Sequence, residues 1–426
     1  MTRRSLPDDA LADIDRLLAP TDSELARRYP GDDGRRQPVH TVYLPADRFT
    51  PATSHEWGAA ALHAAAEAAD GVTHVAEAVG LQDADALAEL VRRKITTEPI
   101  EDIRLDFEDG YGDRGDEAED ADAARAASAV SEAVRSGGAA PFIGIRFKCL
   151  EAATRSRGLR TLDLFLTGLL EHGPLPDGLT LTLPKVTTVS QVEAMVEACR
   201  SLEQALGLDE RRLRFEVQVE TPQVILGADG SAPVARLIHA GDGRVSSLHY
   251  GTYDYSASLG IAAQYQSMEH PAADHAKNVM QLAVAGTGVH LSDGSTNILP
   301  VGSPTRVMDA WHLHARLVRR HLERGVYQGW DLHPAQLITR YLATYAFYRA
   351  GFDAAAVRLH NYVNEVESGI LDEPATARAL ASFIRRGLTC GAVTADEVRT
   401  SAGVTPEALS AIALNRPTPL QEENHG

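Results

Sequence analysis

Eight short segments with β-strand character alternate with helical patterns along most of this chain, and this alternation constrains the fold more than any other feature. The segment RFEVQVET at 214–221, for example, sets three apolar residues against Glu216 and Gln218 with the period of two that is typical of a strand. Strands that alternate with helices build either a closed (β/α)8 barrel or an open doubly wound sheet. Eight units within about three hundred residues favour the barrel. The predicted strands are 40–49, 100–110, 141–150, 179–186, 214–221, 246–254, 288–294 and 327–337.

Three regions with different patterns follow from this interpretation. Residues 1–38 are predicted to form an amphipathic helix and a polar loop, and residues 39–350 the barrel. Residues 351–426 show no strand signal and are predicted to be a helical extension with a polar tail from Pro417. The helices predicted in the extension are 354–367, 375–386 and 394–401.

Two helix starts carry specific signals. Ser190 with Glu193 three residues later matches a capping box and predicts that a helix over 190–206 begins there. Pro334, after the eighth strand, is favoured in the first turn of a helix.

The charge of the chain excludes some classes of partner. Lys and Arg number 41 and Asp and Glu number 59, which gives a formal net charge of −18. Nucleic acids and anionic membranes need clustered positive charge, so neither is expected as a partner. A small anionic substrate held by a few arginines remains compatible with this balance.

Cysteine content and hydropathy indicate a reduced, cytoplasmic protein. Cys149, Cys199 and Cys390 lie far apart and show no zinc-binding spacing. No apolar run follows the basic residues at the start of the chain, so a secretory signal is not expected. No apolar stretch approaches ~20 residues, so no transmembrane helix is expected either.

Two acids follow successive predicted strands. Glu220 ends the fifth strand and Asp254 the sixth, and in a parallel barrel such residues meet at the mouth. Two oxygen ligands with open water positions suit Mg²⁺ or Mn²⁺ better than zinc or calcium. A strand-end acid is more often a helix N-cap or a solvated loop residue, so the pair gains weight only from the other motifs.

Further charged residues occupy the neighbouring strand ends. Asp106, Glu108 and Asp109 close the second strand, and Arg146 lies in the third. A divalent ion with open positions can accept a 2-oxo acid and stabilise the enolate oxygen that forms when a C–C bond next to a carbonyl breaks. An arginine suits that oxygen or a substrate carboxylate, and a further acid can orient water or carry protons.

An ordered series of motifs now makes a family resemblance specific. The segments LDFEDG, IRF, LPKV, VETP, GTYD and GWDLHPAQ run from about residue 100 to 340, one in nearly every β/α unit. Each motif is weak alone, but the series resembles the citrate lyase β-subunit-like, or HpcH/HpaI aldolase, family.

The resemblance implies a role for each matching residue. Glu220 and Asp254 would hold Mg²⁺, with Mn²⁺ as a substitute, and Arg146 would contact the substrate carbonyl and stabilise the enolate. Asp106 and Glu108 would hold metal-bound water or the arginine.

A further acid and some departures bear on the branch of the family. Asp109 stands where pyruvate aldolases carry a His and acyl-CoA lyases an Asp, which favours the citrate lyase-like branch. The segment VETPQVIL has no glycine before Gly227, and no basic cluster is placed for a CoA phosphate. The family's lyases use an acid from a C-terminal segment that can belong to a neighbouring subunit; Asp372 and Glu373 are candidates by location alone.

Other reactive residues have ordinary interpretations. Lys185 is about as compatible with a structural ion pair as with substrate binding. His333 is expected to stabilise the last barrel turn, His249 and His290 to be core histidines, and Cys149 to be a packing residue because no His is placed beside it.

The sequence therefore predicts a Mg²⁺-dependent carbon–carbon lyase, aldolase-like or citrate lyase-like. It would cleave or form the bond β to a carbonyl in a hydroxy acid or its thioester. Two alternatives stay open: a malyl-type thioester hydrolase or synthase at the same site, and a non-catalytic barrel that binds metal and ligand. The expected partners are a small anionic substrate (a 2-oxo acid, a hydroxy acid or an acyl-CoA thioester) and, from the resemblance, further copies of the chain in a homo-oligomer.

Overall fold

Eight parallel strands form one sheet that curls into a (β/α)8 barrel, as predicted. In this computed structural model, which describes residues 5–366 and 373–417, the sheet order is β7-β6-β5-β4-β3-β2-β1-β8. A parallel bridge between Ser292 and Gln328 joins the two ends, where the Asp293 N–H donates to the Gln328 carbonyl at 2.8 Å. The strands are β1 (His40–Pro45), β2 (Asp102–Asp106), β3 (Phe142–Arg146), β4 (Leu181–Leu183), β5 (Phe215–Val219), β6 (Val245–Tyr250), β7 (His290–Ser292) and β8 (Gly329–Asp331).

Helices connect the strands and continue after the last one. Those up to β6 are α1 (Asp8–Arg28), α2 (Thr53–Ala69), α3 (Val72–Ala78), α4 (Ala84–Thr97), α5 (Asp116–Ser136), α6 (Arg155–His172), α7 (Val189–Leu206) and α8 (Pro233–Ala240). Those after β6 are α9 (Thr252–Ser258), α10 (Pro271–Val284), α11 (Pro304–Glu323), α12 (Gln336–Val363), α13 (Pro374–Cys390), α14 (Ala395–Glu397), which runs into a π-helical turn at Val398–Ala402, and α15 (Pro406–Ala413).

The interior of the barrel is polar, and the apolar core lies between the strands and the helices. Along β5 every residue is buried, although Glu216 and Gln218 alternate with apolar residues. The apolar side chains join the main hydrophobic cluster, whereas Glu216 accepts a hydrogen bond from the buried Arg104 at 2.8 Å. The polar positions of the alternation therefore fill the barrel instead of facing solvent.

Hydrogen bonds connect the polar side chains along the barrel axis. The Tyr43 hydroxyl donates to Glu216 at 3.2 Å and accepts from the Gln218 amide at 2.9 Å. The Gln218 amide oxygen in turn accepts from Arg146 at 3.5 Å. This layered contact fixes Tyr43 and Gln218 beneath the carboxyl ends of the strands, where Arg146 lies.

The strands are shorter than predicted, and one site residue changes element as a result. Asp254 was predicted to end the sixth strand, but β6 ends at Tyr250 and Asp254 lies in the first turn of α9. Gly251 breaks the strand, and an acid in a first helical turn is favoured by the helix dipole. Likewise, Glu108 and Asp109 follow β2 in a turn instead of extending the strand.

Two predicted helix boundaries are wrong. Helix α7 begins at Val189, one residue earlier than expected, because Thr188 and Gln191, not Ser190 and Glu193, form the capping box. The helix predicted to start at residue 354 is the second half of α12, which runs without interruption through Gly351.

Some expectations lie outside the described residues or stay untested. Asp372, the end of the helix predicted over 354–367, and nearly all of the polar tail fall outside the described residues. The division into 1–38, 39–350 and 351–426 stays a prediction. Among the described helices, none combines the length and apolar character needed to cross a membrane.

Candidate active site

Polar side chains from five consecutive β/α units meet at the carboxyl ends of their strands. Asp106 ends β2 and Arg146 ends β3, while Lys185, Glu220 and Asp254 follow β4, β5 and β6 in turn. This is the end of a (β/α)8 barrel that carries the active site in enzymes of this fold.

Arg146 is held in one orientation by Asp106. Its Nε and Nη2 donate to the two carboxylate oxygens at 2.7 and 2.6 Å, a bidentate pair between buried groups. The same carboxylate accepts main-chain hydrogen bonds from Glu108 at 3.0 Å and Gly110 at 2.7 Å. With four hydrogen bonds accepted, Asp106 acts as the support of the arginine.

The rest of the Arg146 guanidinium points to the middle of the barrel mouth. It stacks over the Tyr43 ring, 4.8 Å from the centroid, and its Nη1 lies 3.5 Å from the Gln218 amide oxygen and 3.9 Å from Glu108. Asp106 holds the pKa of this buried guanidinium well above its usual value against the effect of burial. Arg146 therefore presents a permanent positive charge with donor capacity left on Nη1.

Glu220 is a buried carboxylate without a cationic partner at contact distance. It is 2 % exposed and accepts the main-chain N–H of Lys185 at 2.7 Å, and among the described residues no Lys or Arg nitrogen lies within 4.0 Å of its oxygens. Burial raises its pKa to about 8; Arg146 opposes the rise, and Asp254 and Glu108 add to it. The side chain also packs on Gly251, where a Cβ would lie 2.5 Å from the Glu220 Oε2.

Lys185 connects the acids on this side of the mouth. Its Nζ lies 2.6 Å from both Glu108 and Asp109 and 3.9 Å from Asp254. Its main chain has φ +51°, the left-handed region that β-branched and bulky residues rarely adopt. In this conformation the main-chain N–H of Lys185 donates to Glu220, while its ammonium group binds the carboxylates of Glu108 and Asp109.

The pKa values of two neighbouring acids, Glu108 and Asp109, are shifted in opposite directions. Burial raises the pKa of Glu108 to about 7, although Arg146 opposes the rise and Asp109 adds to it. The pKa of Asp109 is lowered: burial acts against this, but hydrogen bonds with Glu108 and Lys185 outweigh it. A carboxyl group that titrates near neutral pH is suited to accept and return a proton.

Glu220 and Asp254 are the two acids that the sequence predicted to hold a divalent cation. Glu220 lacks positive charge beside it, and Asp254, whose side chain is 46 % exposed, repels it. Across residues 5–366 and 373–417, however, no three His, Cys, Asp or Glu side chains form a complete metal site. The two-carboxylate metal site at Glu220 and Asp254 therefore stays a prediction.

Several other candidates lie outside this group. His333 accepts the main-chain N–H of Ala335 at 3.2 Å at the start of α12, and His249 accepts from Trp330 at 3.0 Å inside the barrel. The Cys149 thiol contacts the Thr154 hydroxyl at 3.2 Å, and Glu373 precedes α13 as its N-cap residue.

The sequence did not assign a site role to Lys185 or to Gln218. The LPK segment placed Lys185 at a strand end, but only the folded loop shows that it contacts three acids. Gln218 had the one available signal, an amide two residues before Glu220 on the same face of β5.

Comparisons with known proteins bear on the fold and the family. A family model described as "Domain of unknown function (DUF6986)" matches residues 18–417. No curated protein matches the sequence significantly.

Three solved structures illustrate the similarity in fold. A citrate lyase from Burkholderia xenovorans LB400 is 18 % identical over 87 % of this chain and 97 % of its own, with a TM-score of 0.58. A malate synthase from Haloferax volcanii, in a magnesium/glyoxylate complex, is 13 % identical over 90 % and 99 %, with a TM-score of 0.50. An HpcH/HpaI aldolase/citrate lyase family protein from Burkholderia cenocepacia J2315 is 15 % identical over 75 % and 95 %, with a TM-score of 0.40. At these identities the first two comparisons show a shared fold.

Proposed function

We propose a function from the site itself, because this chain belongs to the family described as "Domain of unknown function (DUF6986)", a description that states no activity. The proposal is a Mg²⁺-dependent carbon–carbon lyase of the citrate lyase and aldolase type. It would cleave or form the bond β to a carbonyl in a small hydroxy acid or its thioester. The observation that carries it is the buried Glu220, which has no Lys or Arg nitrogen within 4.0 Å among the described residues, at the same barrel mouth as the fixed and charged Arg146.

Glu220 and Asp254 are the residues that would hold the metal ion. Their combined negative charge, with Glu108 close by, favours a hard divalent cation with oxygen ligands and water. When bound, Mg²⁺ would supply positive charge at the oxygen where an enolate develops.

Arg146 would bind and polarise the substrate. Its Nη1 donates one N–H to Gln218 and keeps a second that can donate to a carboxylate or carbonyl oxygen, and Asp106 keeps the guanidinium from rotating away. Because the charge is fixed before the reaction, it stabilises developing negative charge without reorganisation. A donor lost from such a position typically costs about 100-fold in turnover.

Glu108 would move the proton. With a pKa raised to about 7 by burial, it can take a proton from a substrate hydroxyl and return it. Lys185, at 2.6 Å, keeps this side chain turned toward the mouth.

The fold neighbours support this class of chemistry. One is a citrate lyase, and another is a malate synthase in complex with magnesium and glyoxylate, a 2-oxo acid. The proposed substrate is accordingly a small 2-oxo acid, or a hydroxy acid that yields one.

The test is metal-dependent enolisation. Wild-type protein with Mg²⁺ is expected to exchange the methyl protons of pyruvate, or those of an acyl donor, for solvent deuterium, as followed by NMR, and EDTA should stop the exchange. Glu220→Gln and Asp254→Asn should lose Mn²⁺ binding and exchange with unchanged circular dichroism. Arg146→Ala should keep Mn²⁺ affinity and slow the exchange about 100-fold.

Two results would count against the proposal. Exchange that persists in EDTA would remove the metal from the reaction. Tight ligand binding without exchange for any 2-oxo acid or thioester would favour the binding-protein alternative. A change confined to KM in Arg146→Ala would limit this arginine to substrate binding.

A further inference from the structure

A second polar cavity lies at the opposite end of the barrel, beside the amino-terminal ends of β5, β6 and β7. It measures about 640 Å³, within the range of small-molecule sites. Its walls come from the end of α1, the loop before β1, the segments that precede these three strands, and the end of α15. None of the residues of the candidate active site lines it.

The charge of this basic cavity is opposite to that of the chain. Six arginines and three aspartates line it, a formal surplus of three positive charges in a protein with a net charge of −18. The arginines are Arg27, Arg28, Arg35, Arg211, Arg214 and Arg416. They come from four separate segments of the sequence, and only the fold brings these segments together.

Two of the three aspartates pair with arginines of the cavity, and the third pairs with an arginine outside it. Asp32 pairs with Arg385 outside the cavity wall at 2.7 Å, and Asp33 pairs with Arg35. Asp242 is shared between Arg200 at 2.8 Å and Arg211 at 3.1 Å. Because Arg28 also pairs with Glu24, the cavity arginines without a carboxylate partner among the described residues are Arg27, Arg214 and Arg416.

Arg214 is an arginine of the cavity that forms no ion pair with the described residues. Within the described part of the chain, no carboxylate lies within 4.0 Å of its guanidinium, and its Nε is shielded from solvent without a hydrogen-bond partner. The Arg214 side chain as a whole is only half-buried, so an anion in the cavity that contacts its guanidinium would gain a charge-assisted hydrogen bond. Arg27 likewise has no carboxylate partner among the described residues.

The positive field extends into the cavity. His239 lines the same wall, and its pKa is lowered by burial and by the charges of Arg28 and Arg27. A smaller cavity of about 140 Å³ shares Arg35 and Arg214 with the basic cavity and continues to the barrel interior at Arg104. Arg214 stands where the two join.

We propose that this basic cavity binds a small molecule with at least two phosphoryl groups. Guanidinium groups match phosphoryl oxygens in geometry and stay charged at all physiological pH values. Several arginines that line one cavity suit a diphosphate better than a single carboxylate, because one carboxylate leaves most of the charge unpaired. The site is separate from the proposed catalytic mouth and does not depend on its function.

Isothermal titration calorimetry tests the proposal on the full chain, in EDTA and ~150 mM KCl to screen weak charge attraction. Inorganic pyrophosphate and ADP are the two probes: binding of both identifies the diphosphate as the recognised group, and binding of ADP alone identifies a nucleotide. A Kd below about 100 µM is expected for at least one of them. Arg214→Gln should weaken it about tenfold or more, the effect of a lost charge-assisted hydrogen bond.

Matched variants keep the result interpretable. Arg399→Gln removes the same charge from an exposed arginine that pairs with Asp396 elsewhere, and it should change the Kd less than about twofold. Arg27→Gln, on the exposed face of α1, should weaken binding without touching the barrel, in case Arg214→Gln does not fold. Glu220→Gln, at the other mouth, should bind pyrophosphate as the wild type does.

Three outcomes would overturn the proposal. They are no binding of either probe, equal weakening by Arg399→Gln and Arg214→Gln, and loss of binding in Glu220→Gln. The second would indicate non-specific attraction, and the third would move the phosphate to the active site. Each outcome can be read without any assay of lyase activity.

Discussion

At the scale of single residues, Glu220 is a buried carboxyl group whose pKa is strongly raised by its environment. A carboxyl group that is 2 % exposed and repelled by Asp254 and Glu108 favours its protonated form, which raises its pKa to about 8. A divalent cation would reverse this preference, because it stabilises the charged form. The metal-free protein and the metal-bound protein should therefore depend on pH in different ways.

The first prediction concerns this pH dependence of stability. Between the ordinary pKa of 4.5 and the folded-state value of about 8, the folded protein holds a proton on Glu220 that the unfolded chain releases. The contribution of this group to the free energy of unfolding therefore falls as pH rises through that window. In EDTA the wild type should lose roughly 2–4 kcal/mol relative to Glu220→Gln between about pH 5.5 and 8.5.

Urea denaturation at a series of pH values measures the difference. Glu117→Gln, an exposed acid of α5, serves as the control and should follow the wild type. Mg²⁺ should restore stability to the wild type at the alkaline end and leave Glu220→Gln unchanged. If the free energy of unfolding of the wild type and of Glu220→Gln changed with pH in the same way, the raised pKa of Glu220 would be contradicted.

At the scale of elements, two loops after strands fix the site by bringing glycine against a carboxylate. Gly251, after β6, leaves room for Glu220, and Gly110, after β2, leaves room for Asp106. A Cβ at these glycines would lie 2.5 and 2.6 Å from the nearest carboxylate oxygen. Neither carboxylate can easily move, since one is packed in the barrel mouth and the other is bound to Arg146.

Substituting each glycine should therefore damage a different half of the site. Gly251→Ala should displace Glu220 and weaken Mn²⁺ binding about tenfold or more, as loss of support around a metal ligand does. Gly110→Ala should leave Mn²⁺ affinity nearly unchanged and slow pyruvate proton exchange about tenfold, by misplacing Arg146. Each variant is the control of the other, and equal losses of metal affinity in both would refute the division.

The loops after the strands also hold the site features that the sequence did not predict. Arg146 ends β3 and Glu220 directly follows β5, close to the predicted strand ends, because strand periodicity fixes which residues share a face. Lys185 was left undecided because its contacts depend on a left-handed main chain in a non-glycine residue, which no local pattern indicates. Asp254 was assigned to a strand although the glycine before it ends β6 and starts a helix.

At the scale of the whole molecule, the barrel was predictable because its β/α repeat is regular, and its polar interior was not anticipated. Alternating polar residues on a strand usually indicate a solvated face, but a closed barrel turns that face inward. The buried Arg104, paired with Asp102 and with Glu216 at 2.8 Å, replaces the expected layers of aliphatic side chains. The result is a barrel with charged groups at both ends and between them.

The helices outside the barrel differ sharply in how much they pack. Helix α1 buries none of its side chains, and Leu17 is 76 % exposed. Helices α13 and α15, by contrast, form a second hydrophobic cluster with α12 through buried residues such as Phe352, Ile384 and Leu409. Stability should therefore depend on the C-terminal helices and hardly at all on α1.

Two truncations test this contrast. Deleting residues 1–20 removes most of α1 but keeps Arg27 and Arg28, and it should change Tm by less than about 2 °C, because surface positions contribute little. Ending the chain after Val363 removes the partners of α12 and exposes its buried face; each large apolar side chain left without partners costs about 2–5 kcal/mol, so this variant should unfold or aggregate. Differential scanning calorimetry and size-exclusion chromatography measure both effects. A fully folded protein without residues 364–426, or a large loss of Tm without residues 1–20, would show that the packing seen within one chain does not determine its stability.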